Sequence, residues 1–133
     1  MTSVRVSSNT SPLGQNITIR QFQFLADEPL DLGGSDTGPT PFELVLAGLG
    51  TCKAITVKMY AARKGWPVEQ VNVDCTLKQV DNVQTIQAQL QLIGGLTIEQ
   101  RQRLLEIADR CPVHKLLTAE TPIQTVLLPE LSN

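Results

Sequence analysis

The stretch Pro41–Lys64, PFELVLAGLGTCKAITVKMYAARK, is the most apolar long segment of the chain, and one cysteine, Cys52, stands in its middle. Thr40 directly precedes the stretch as a helix N-cap, and Glu43 stands where its carboxylate can reach back to the N-cap amide. Gly65 follows as a C-cap, and the Trp-Pro pair after it prevents the helix from continuing. The spacing therefore predicts one long helix that presents a thiol.

The first half of this predicted helix is uncharged around its whole circumference, which is typical of a helix that is buried on every side. Gly48 and Gly50 each cost about 1 kcal/mol relative to alanine in a helix, so we expect another backbone to pack closely beside Cys52. One small sheet covers too few sides of such a helix. A second copy of the chain would cover the rest, and we predict an obligate homodimer.

Five further segments predict strands from their apolar and polar patterning. They are Val4–Val6, Ile17–Phe24, the pair Val71–Leu77 and Ile86–Leu92 joined by a turn at Asp81-Asn82, and Ile123–Leu128. The alternation within Ile17–Phe24 slips by one step, so we expect a bulge or an edge position there. The strands come in runs rather than alternating with helices, which indicates an α+β fold in a single domain over residues 1–133.

A second capping box begins at Thr97 and predicts an amphipathic helix that ends near Arg110. Leu104, Ala108 and Cys111 fall on one stripe of this helix at the spacing i, i+4, i+7, and the stripe predicts a buried face. The strand residue Cys75 shares an inward face with apolar neighbours, so we interpret it as a core residue.

Composition excludes several classes of function. Charged residues make up 18% of the chain and the formal net charge is -2, so no basic footprint indicates a nucleic acid or an anionic membrane as partner. The N-terminus lacks a signal-peptide pattern, and the apolar run Leu44–Gly50 is too short to span a membrane before Lys53 interrupts it. We therefore expect a cytoplasmic protein without a disulfide framework.

Cys111 has an unusual setting in the sequence DRCPVHK. Pro112 is expected to end the preceding helix, and Arg110, Lys115 and His114 supply positive charge that favours a thiolate. A Cys-x-x-His pair could also contribute to a zinc site, but four ligands would be needed and we expect no metal and no bound cofactor. From the residues alone, Cys52 and Cys111 are either core residues or reactive thiols, and Glu43 is explained by its capping position.

Residues 33–52, GGSDTGPTPFELVLAGLGTC, together with Cys-Pro-Val-His at residues 111–114, resemble the OsmC/Ohr family of osmotically inducible and organic-hydroperoxide-resistance proteins. The segment with DEP, GG and GPTP is most similar to the OsmC-like branch, and the resemblance runs from about Asp27 to His114. It implies an intertwined homodimer in which antiparallel β-sheets wrap around two long central helices.

The resemblance also implies thiol-dependent reduction of organic hydroperoxides, with Cys52 as the peroxidatic cysteine and Cys111 as the resolving cysteine. An external dithiol, in this family typically a lipoylated protein, would reset the pair. The peroxidase branches use an arginine from an N-terminal loop, and they place a glutamate ten residues before the cysteine. This chain has Phe42 at that position, with Glu43 one residue later. One residue is about 100° of helix, so Glu43 is kept as a candidate catalytic residue, with capping alone as the alternative.

The early arginines, Arg5 and Arg20, stand in no matching motif, so the identity of the activating groups stays open.

Three functions are therefore kept as hypotheses. The first is a thiol peroxidase acting on small or fatty hydroperoxides. The second is a non-enzymatic dimer that binds an apolar ligand or partner beside Cys52. The third is a redox sensor that forms the Cys52–Cys111 disulfide without efficient turnover.

Overall fold

Five strands and three α-helices follow one another in residues 1–130, the part of the chain that the computed structural model describes. They form a three-stranded antiparallel sheet, a long central helix, a two-stranded antiparallel sheet and two further helices. In chain order the elements are β1 (Arg5–Ser8), β2 (Gln15–Ile19), β3 (Phe22–Ala26), a 3-10 turn (Leu30–Leu32), α1 (Pro41–Lys64), β4 (Val68–Val80), β5 (Val83–Gly94), α2 (Ile98–Ala108) and α3 (Pro112–Thr118).

The central helix α1 begins and ends as predicted. The Thr40 amide donates to Glu43 Oε1 at 2.8 Å, and the Glu43 amide donates to Thr40 Oγ1 at 3.2 Å, which completes the capping box. Gly65 ends the helix in the left-handed region at φ 70°, a conformation that suits glycine. Because these signals are local, the sequence was sufficient to place both ends of α1.

The strands β4 and β5 form the predicted hairpin. Val80 pairs with Val83, and the two residues between them, Asp81 and Asn82, both have positive φ angles of 50° and 65°. Two-residue turns of this kind match the twist of the flanking strands, and aspartate and asparagine tolerate them well. The predicted position of the turn is confirmed.

The core of the chain lies between α1 and α2. Val57 and Ala61 of α1 pack with Leu104 and Ala108 of α2, and apolar side chains of β4 and β5 surround this cluster. The stripe predicted for α2 is confirmed, although the helix ends at Ala108 and not near Arg110. Pro112 was expected to end this helix. It instead occupies the first position of a new helix, α3, which its fixed φ suits.

The predicted strand Ile17–Phe24 is wrong, because it is divided between β2 and β3. Ile19 pairs with Phe22 across the two-residue turn at Arg20 and Gln21, and Arg20 adopts a positive φ of 54°. The slip in alternation is therefore a hairpin turn rather than a bulge. A turn of two residues returns the chain in register, so the apolar side chains on both sides of it stay on one face.

That face of the N-terminal sheet carries five large apolar side chains and is poorly covered. The strand register places them together: Val6, Ile17, Ile19, Phe22 and Phe24. Within residues 1–130, neither a helix nor the second sheet packs extensively against this sheet. Val6, Phe22 and Phe24 are consequently exposed.

The strand predicted at Ile123–Leu128 is also wrong. Residues 120–130 form no regular secondary structure, and the apolar side chains of Ile123, Val126, Leu127 and Leu128 are exposed. An apolar pattern identifies a segment that favours a sheet, but a strand also needs a neighbour that completes its hydrogen bonds. No strand within residues 1–130 pairs with this segment.

The burial of α1 differs from the expectation as well. One stripe at helical spacing is buried, formed by Leu49, Lys53, Val57 and Ala61, whereas the opposite face is largely exposed. The chain exposes 10327 Å² of surface. A folded monomer of 14.5 kDa is expected to expose about 6900 Å². The chain therefore exposes about one and a half times the surface expected of a folded monomer of its mass.

By length and composition, α1 is apolar enough to cross a membrane, with a mean hydropathy of 1.3 over its best window. The expectation from sequence rested on the run Leu44–Gly50 alone, which is too short to span a membrane, and not on the helix as a whole. The central helix of a globular core has the same property, and α1 packs against β4, α2 and α3.

Candidate functional site

Cys52 lies in the middle of α1 and opens onto an apolar groove. The groove has a volume of about 490 Å³ and is open to solvent along one side. Its lining includes Ala47, Gly48, Ile55, Met59 and Pro112. The thiol itself is only partly buried, so a small apolar molecule in the groove could approach its sulfur.

Cys111 lies beside Cys52, although 58 residues separate the two in the sequence. It is the N-cap of α3, its side chain is completely buried, and its Sγ accepts a hydrogen bond from the His114 amide at 3.3 Å. The two thiols are close enough to interact directly. The fold thus pairs one partly open thiol with one buried thiol, the arrangement from which a disulfide can form.

Burial raises the pKa of the Cys111 thiol, and this effect outweighs the opposing hydrogen bond from the His114 amide. The neighbouring Cys52 thiol raises the pKa further. The prediction that Arg110 and Lys115 would favour the thiolate is therefore wrong. Both side chains are exposed to solvent, and the cation that lowers the pKa of Cys111 is Lys53, whose effect is smaller.

Lys53 is a buried charged residue near the two thiols that sequence reasoning missed. Only 4% of it is exposed. Its Nζ donates to the Ala108 carbonyl at 3.2 Å, to Asp109 Oδ1 at 3.1 Å and to His114 Nδ1 at 2.9 Å. The signal was present in the sequence, because Lys53 stands four residues from Leu49 and Val57 on an otherwise apolar stripe. A lysine in such a stripe needs buried partners.

The His114 ring is a partner of Lys53. An ammonium group can only donate hydrogen bonds, so His114 Nδ1 is the acceptor that a charged Lys53 requires in this contact. Asp109 Oδ1 lies 3.8 Å from the same nitrogen. Lys53 and His114 also border a second cleft of about 420 Å³, which lies between α1, α3 and the start of β5.

Glu43 does not share the groove of Cys52. Its carboxylate is bonded in the capping box, and it lines an adjoining open groove together with Cys75; Ala47 and Thr51 border both grooves. Arg5 lies on the N-terminal sheet, and Arg20 stacks over the Phe22 ring at 5.1 Å. The structure therefore brings Cys52 and Cys111 together and leaves Glu43 and the two early arginines elsewhere on this chain.

The glycines near Cys52 have different surroundings. A Cβ atom at Gly50 would lie 3.4 Å from Cys75 Sγ and 3.8 Å from the Val73 carbonyl oxygen, so β4 lies beside Gly50 at ordinary van der Waals distance and not in the close backbone packing that was predicted. Gly48 faces open space on this chain, and close packing against it is not observed. Cys75 is partly buried on the inward side of β4, and burial raises the pKa of its thiol.

Metal binding finds no support in the described part of the chain. Among residues 1–130, no three histidine, cysteine, aspartate or glutamate side chains converge so that they could hold a metal ion. The Cys111 and His114 pair is used differently, since the His114 amide bonds the thiol while its ring bonds Lys53.

Comparison with known proteins finds a sequence family that this chain matches. The profile of the OsmC-like protein family matches residues 33–126. No curated protein matches the chain at a significant level.

Solved structures resemble the chain in fold. An OsmC-like protein from Mycoplasma pneumoniae superposes with a TM-score of 0.74 at 18% identity, over 90% of this chain and 89% of its own. The organic hydroperoxide resistance protein OhrB of Bacillus subtilis gives 0.61 at 20% identity, over 90% and 92%. An organic hydroperoxide resistance protein from Legionella pneumophila gives 0.63 at 17% identity, over 89% of each chain. At these identities the likeness establishes the fold alone.

Proposed function

Because the chain belongs to the OsmC-like protein family, we propose that it is a thiol-dependent peroxidase that reduces organic hydroperoxides. The observation that supports this function best is the pairing of the two cysteines. Cys52 opens onto an apolar groove that suits the organic part of a hydroperoxide, and the buried Cys111 thiol stands directly beside it.

Cys52 acts first, as the nucleophile. Its thiolate attacks the terminal oxygen of the hydroperoxide, the O–O bond breaks, and the alkoxide takes up a proton and leaves as an alcohol. Cys52 becomes a sulfenic acid. A free thiol is only a few per cent ionised at neutral pH, so the rate of this step depends on how the site stabilises the thiolate.

Cys111 then resolves the sulfenic acid. Its thiolate attacks Cys52 Sγ, a disulfide forms, and the hydroxide that leaves takes up a proton to become water. Cys111 needs no large movement for this step because the two thiols already lie near enough to influence each other's ionisation. An external dithiol, such as a lipoylated protein, returns both cysteines to thiols by disulfide exchange.

We further propose that the working form is an intertwined homodimer. The uncovered face of the N-terminal sheet, the exposed face of α1 and the excess accessible surface all support a second copy. An obligate homodimer interface buries about 2000–5000 Å² in total, and the excess of roughly 3400 Å² on each chain is large enough to supply it.

A second function deserves a test because of Glu43. Its carboxylate is bonded in the helix cap, and no arginine lines the groove of Cys52 on this chain. A site with no thiolate-stabilising partner would react slowly. The alternative is therefore a protein that binds an apolar molecule in the groove while its thiols turn over slowly or not at all.

The test mixes reduced protein with cumene hydroperoxide and follows the protein by mass spectrometry over seconds to minutes. The peroxidase loses two hydrogens as the Cys52–Cys111 disulfide forms, and one equivalent of cumyl alcohol appears. Cys111→Ser instead accumulates the sulfenic acid of Cys52, which dimedone traps.

The matched control is Cys75→Ser, which removes the cysteine outside the pair and is expected to react as the wild type does. Unchanged thiols after several minutes in a modest excess of hydroperoxide would rule out the peroxidase. Saturable binding of a medium-chain fatty acid under the same conditions would then favour the binding protein.

A further inference from the structure

We propose that Lys53 is a positioning residue that holds Cys111 against Cys52 by clamping the corner between α2 and α3. This inference rests on the proposed function, because it explains how the resolving thiol is kept in place. It is drawn from the hydrogen bonds of one buried ammonium group and from the short connection that these bonds fix.

The position of Lys53 requires an explanation of its own. Its side chain lies in the buried stripe of α1, where its neighbours one turn away are Leu49 and Val57. A buried ammonium group is costly unless it is fully hydrogen-bonded. Lys53 meets this condition, since it can donate three hydrogen bonds and makes all three.

The three acceptors come from the end of one helix and the start of the next. Ala108 is the last residue of α2, Asp109 is its C-cap, and His114 lies in the first turn of α3. The Ala108 carbonyl lies at the negative end of the α2 dipole, which favours a cation. Lys53 therefore joins both sides of the corner to α1.

Cys111 lies inside this clamped corner. Only Asp109 and Arg110 separate it from the end of α2, and α3 starts at the next residue. The thiol to which it must bond belongs to Cys52, the neighbour of Lys53 in the chain. One pair of adjacent residues on α1 thus carries both the nucleophile and the group that places its partner.

The clamp acts in the second chemical step and not in the first. Attack by Cys52 on an oxidant uses only the side of Cys52 that faces the groove. Disulfide formation needs Cys111 Sγ in line behind Cys52 Sγ, and displacing a reacting group by about 1 Å can cost about 100-fold in rate. Loosening the corner should slow resolution while the initial oxidation of Cys52 continues.

The experiment separates these steps without a hydroperoxide. Reduced protein is mixed with 2-hydroxyethyl disulfide, and quenched samples are analysed by mass spectrometry. Cys52 thiolate attacks the reagent, forms a mixed disulfide and releases mercaptoethanol. Cys111 thiolate then attacks Cys52 Sγ, releases a second mercaptoethanol and leaves the Cys52–Cys111 disulfide. The rate of this second step depends on how well Cys111 is positioned and on how far its thiol is ionised. Measuring the rate as a function of pH separates the two, because a change in pKa shifts the profile along the pH axis whereas a loss of positioning lowers its plateau.

Lys53→Met is the decisive variant. It keeps a side chain of similar length but has no donor, and the charged partner left behind, Asp109, is 67% exposed, so the substitution leaves no buried charge unpaired. We expect the mixed disulfide to form at the wild-type rate and to resolve about tenfold more slowly. Lys53→Arg, which keeps the charge and the donors, should recover most of the rate.

Two further variants complete the design. Lys58→Met removes an exposed lysine from the same helix and should match the wild type. Asp109→Ala removes the exposed acceptor of the clamp, and we expect resolution about threefold slower. Thermal unfolding followed by circular dichroism establishes that each variant is folded. If Lys53→Met fails to fold, Asp109→Ala decides, and a wild-type rate there refutes the clamp.

The outcomes distinguish this inference from the proposed function. Wild-type resolution in a folded Lys53→Met, or equally slow resolution in Lys53→Arg, would overturn the role of Lys53. Failure of the wild type to form the Cys52–Cys111 disulfide by exchange would also overturn it. A wild type that resolves the mixed disulfide but ignores cumene hydroperoxide would refute the peroxidase and leave the positioning role intact.

Discussion

The helical part of the chain, residues 41–118 with the β4–β5 hairpin, and the N-terminal sheet, residues 5–26, differ in how completely they bury their large apolar side chains. In the helical part, Val57 and Leu104 are completely buried, and even a lysine is enclosed with its partners. In the sheet, Val6, Phe22 and Phe24 share one face and remain exposed.

This difference shows that the site with the two thiols and the proposed dimer depend on different parts of the chain. Cys52, Lys53 and Cys111 are brought together by contacts among α1, α2 and α3, all within a single chain. The N-terminal sheet contributes no residue to that cluster on the same chain, and its apolar face is not covered by another element of residues 1–130. Local chemistry therefore depends on one core, whereas the stability of the sheet is expected to depend on a second copy.

The largest effect should come from a cavity in the helical core. Leu104 is completely buried, so Leu104→Ala is expected to cost about 2–5 kcal/mol in the free energy of unfolding. Urea unfolding followed by circular dichroism measures the loss. Leu105→Ala, at the exposed neighbouring position, is the control and should change stability by less than about 1 kcal/mol. Equal losses in the two variants would show that this core is not where the chain derives its stability.

A smaller but different effect is expected in the N-terminal sheet. Phe24→Asp places a charge on the uncovered apolar face and should raise the dissociation constant of the proposed dimer about 100-fold. Sedimentation velocity over a range of concentrations measures it. Gln23→Asp, on the opposite face of the same strand, should leave the dimer unchanged. A wild type that stays monomeric at micromolar concentration would break the comparison at its premise.

The predictions from sequence succeeded where the deciding interactions are local. The capping boxes at Thr40 and Thr97 fixed the starts of α1 and α2, because each box joins residues three positions apart. The turn at Asp81 and Asn82 follows from the few residue types that tolerate positive φ. The OsmC-like resemblance also rests on local motifs, and both cysteines that it identifies are adjacent in the fold.

The failures arose where distant contacts decide. Whether Ile17–Phe24 is one strand or two depends on which strand pairs with it, and the alternation is compatible with both. The segment Ile123–Leu128 needs a neighbour that no pattern specifies. Lys53 was passed over because its acceptors lie 55 to 61 residues away. Burial of Cys111, which outweighs its basic neighbours, likewise depends on tertiary packing.

The loop between the N-terminal sheet and α1 is expected to make the stability of the protein depend on pH. Asp27 is buried, and its carboxylate accepts hydrogen bonds from the Thr37 hydroxyl and from the amides of Glu28, Ser35 and Thr37. The Thr37 hydroxyl contributes most to holding the pKa of Asp27 below its ordinary value of 3.8. A lowered carboxyl pKa means that its stabilising effect is complete above the ordinary pKa and is lost as pH falls through the folded value.

Asp27→Asn should remove this part of the acid sensitivity. We expect the urea midpoint of the wild type to fall more steeply than that of the variant between about pH 5 and pH 2. Asp36→Asn, an exposed acid in the same loop, is the control and should follow the wild type. Parallel curves for Asp27→Asn and the wild type would show that the loop contributes no acid-sensitive stability.

The smallest effect is expected at the start of α1, where Glu43→Gln tests whether this residue belongs to the fold or to the chemistry. Glutamine keeps the oxygen that accepts from the Thr40 amide, so the capping box survives. Only the favourable charge near the helix N-terminus is lost, which costs a few tenths of a kcal/mol, about 0.3–1 at most. Because the Glu43 carboxylate is bonded in the helix cap and Glu43 does not line the groove of Cys52, the rate at which cumene hydroperoxide oxidises Cys52 should stay within about twofold of wild type. Stopped-flow mixing with the thiol trapped at each time point measures that rate.

A stable Glu43→Gln whose Cys52 reacts tenfold more slowly would contradict this expectation. It would place Glu43 at the thiol in the working assembly, and the cap would then be only one of its two roles.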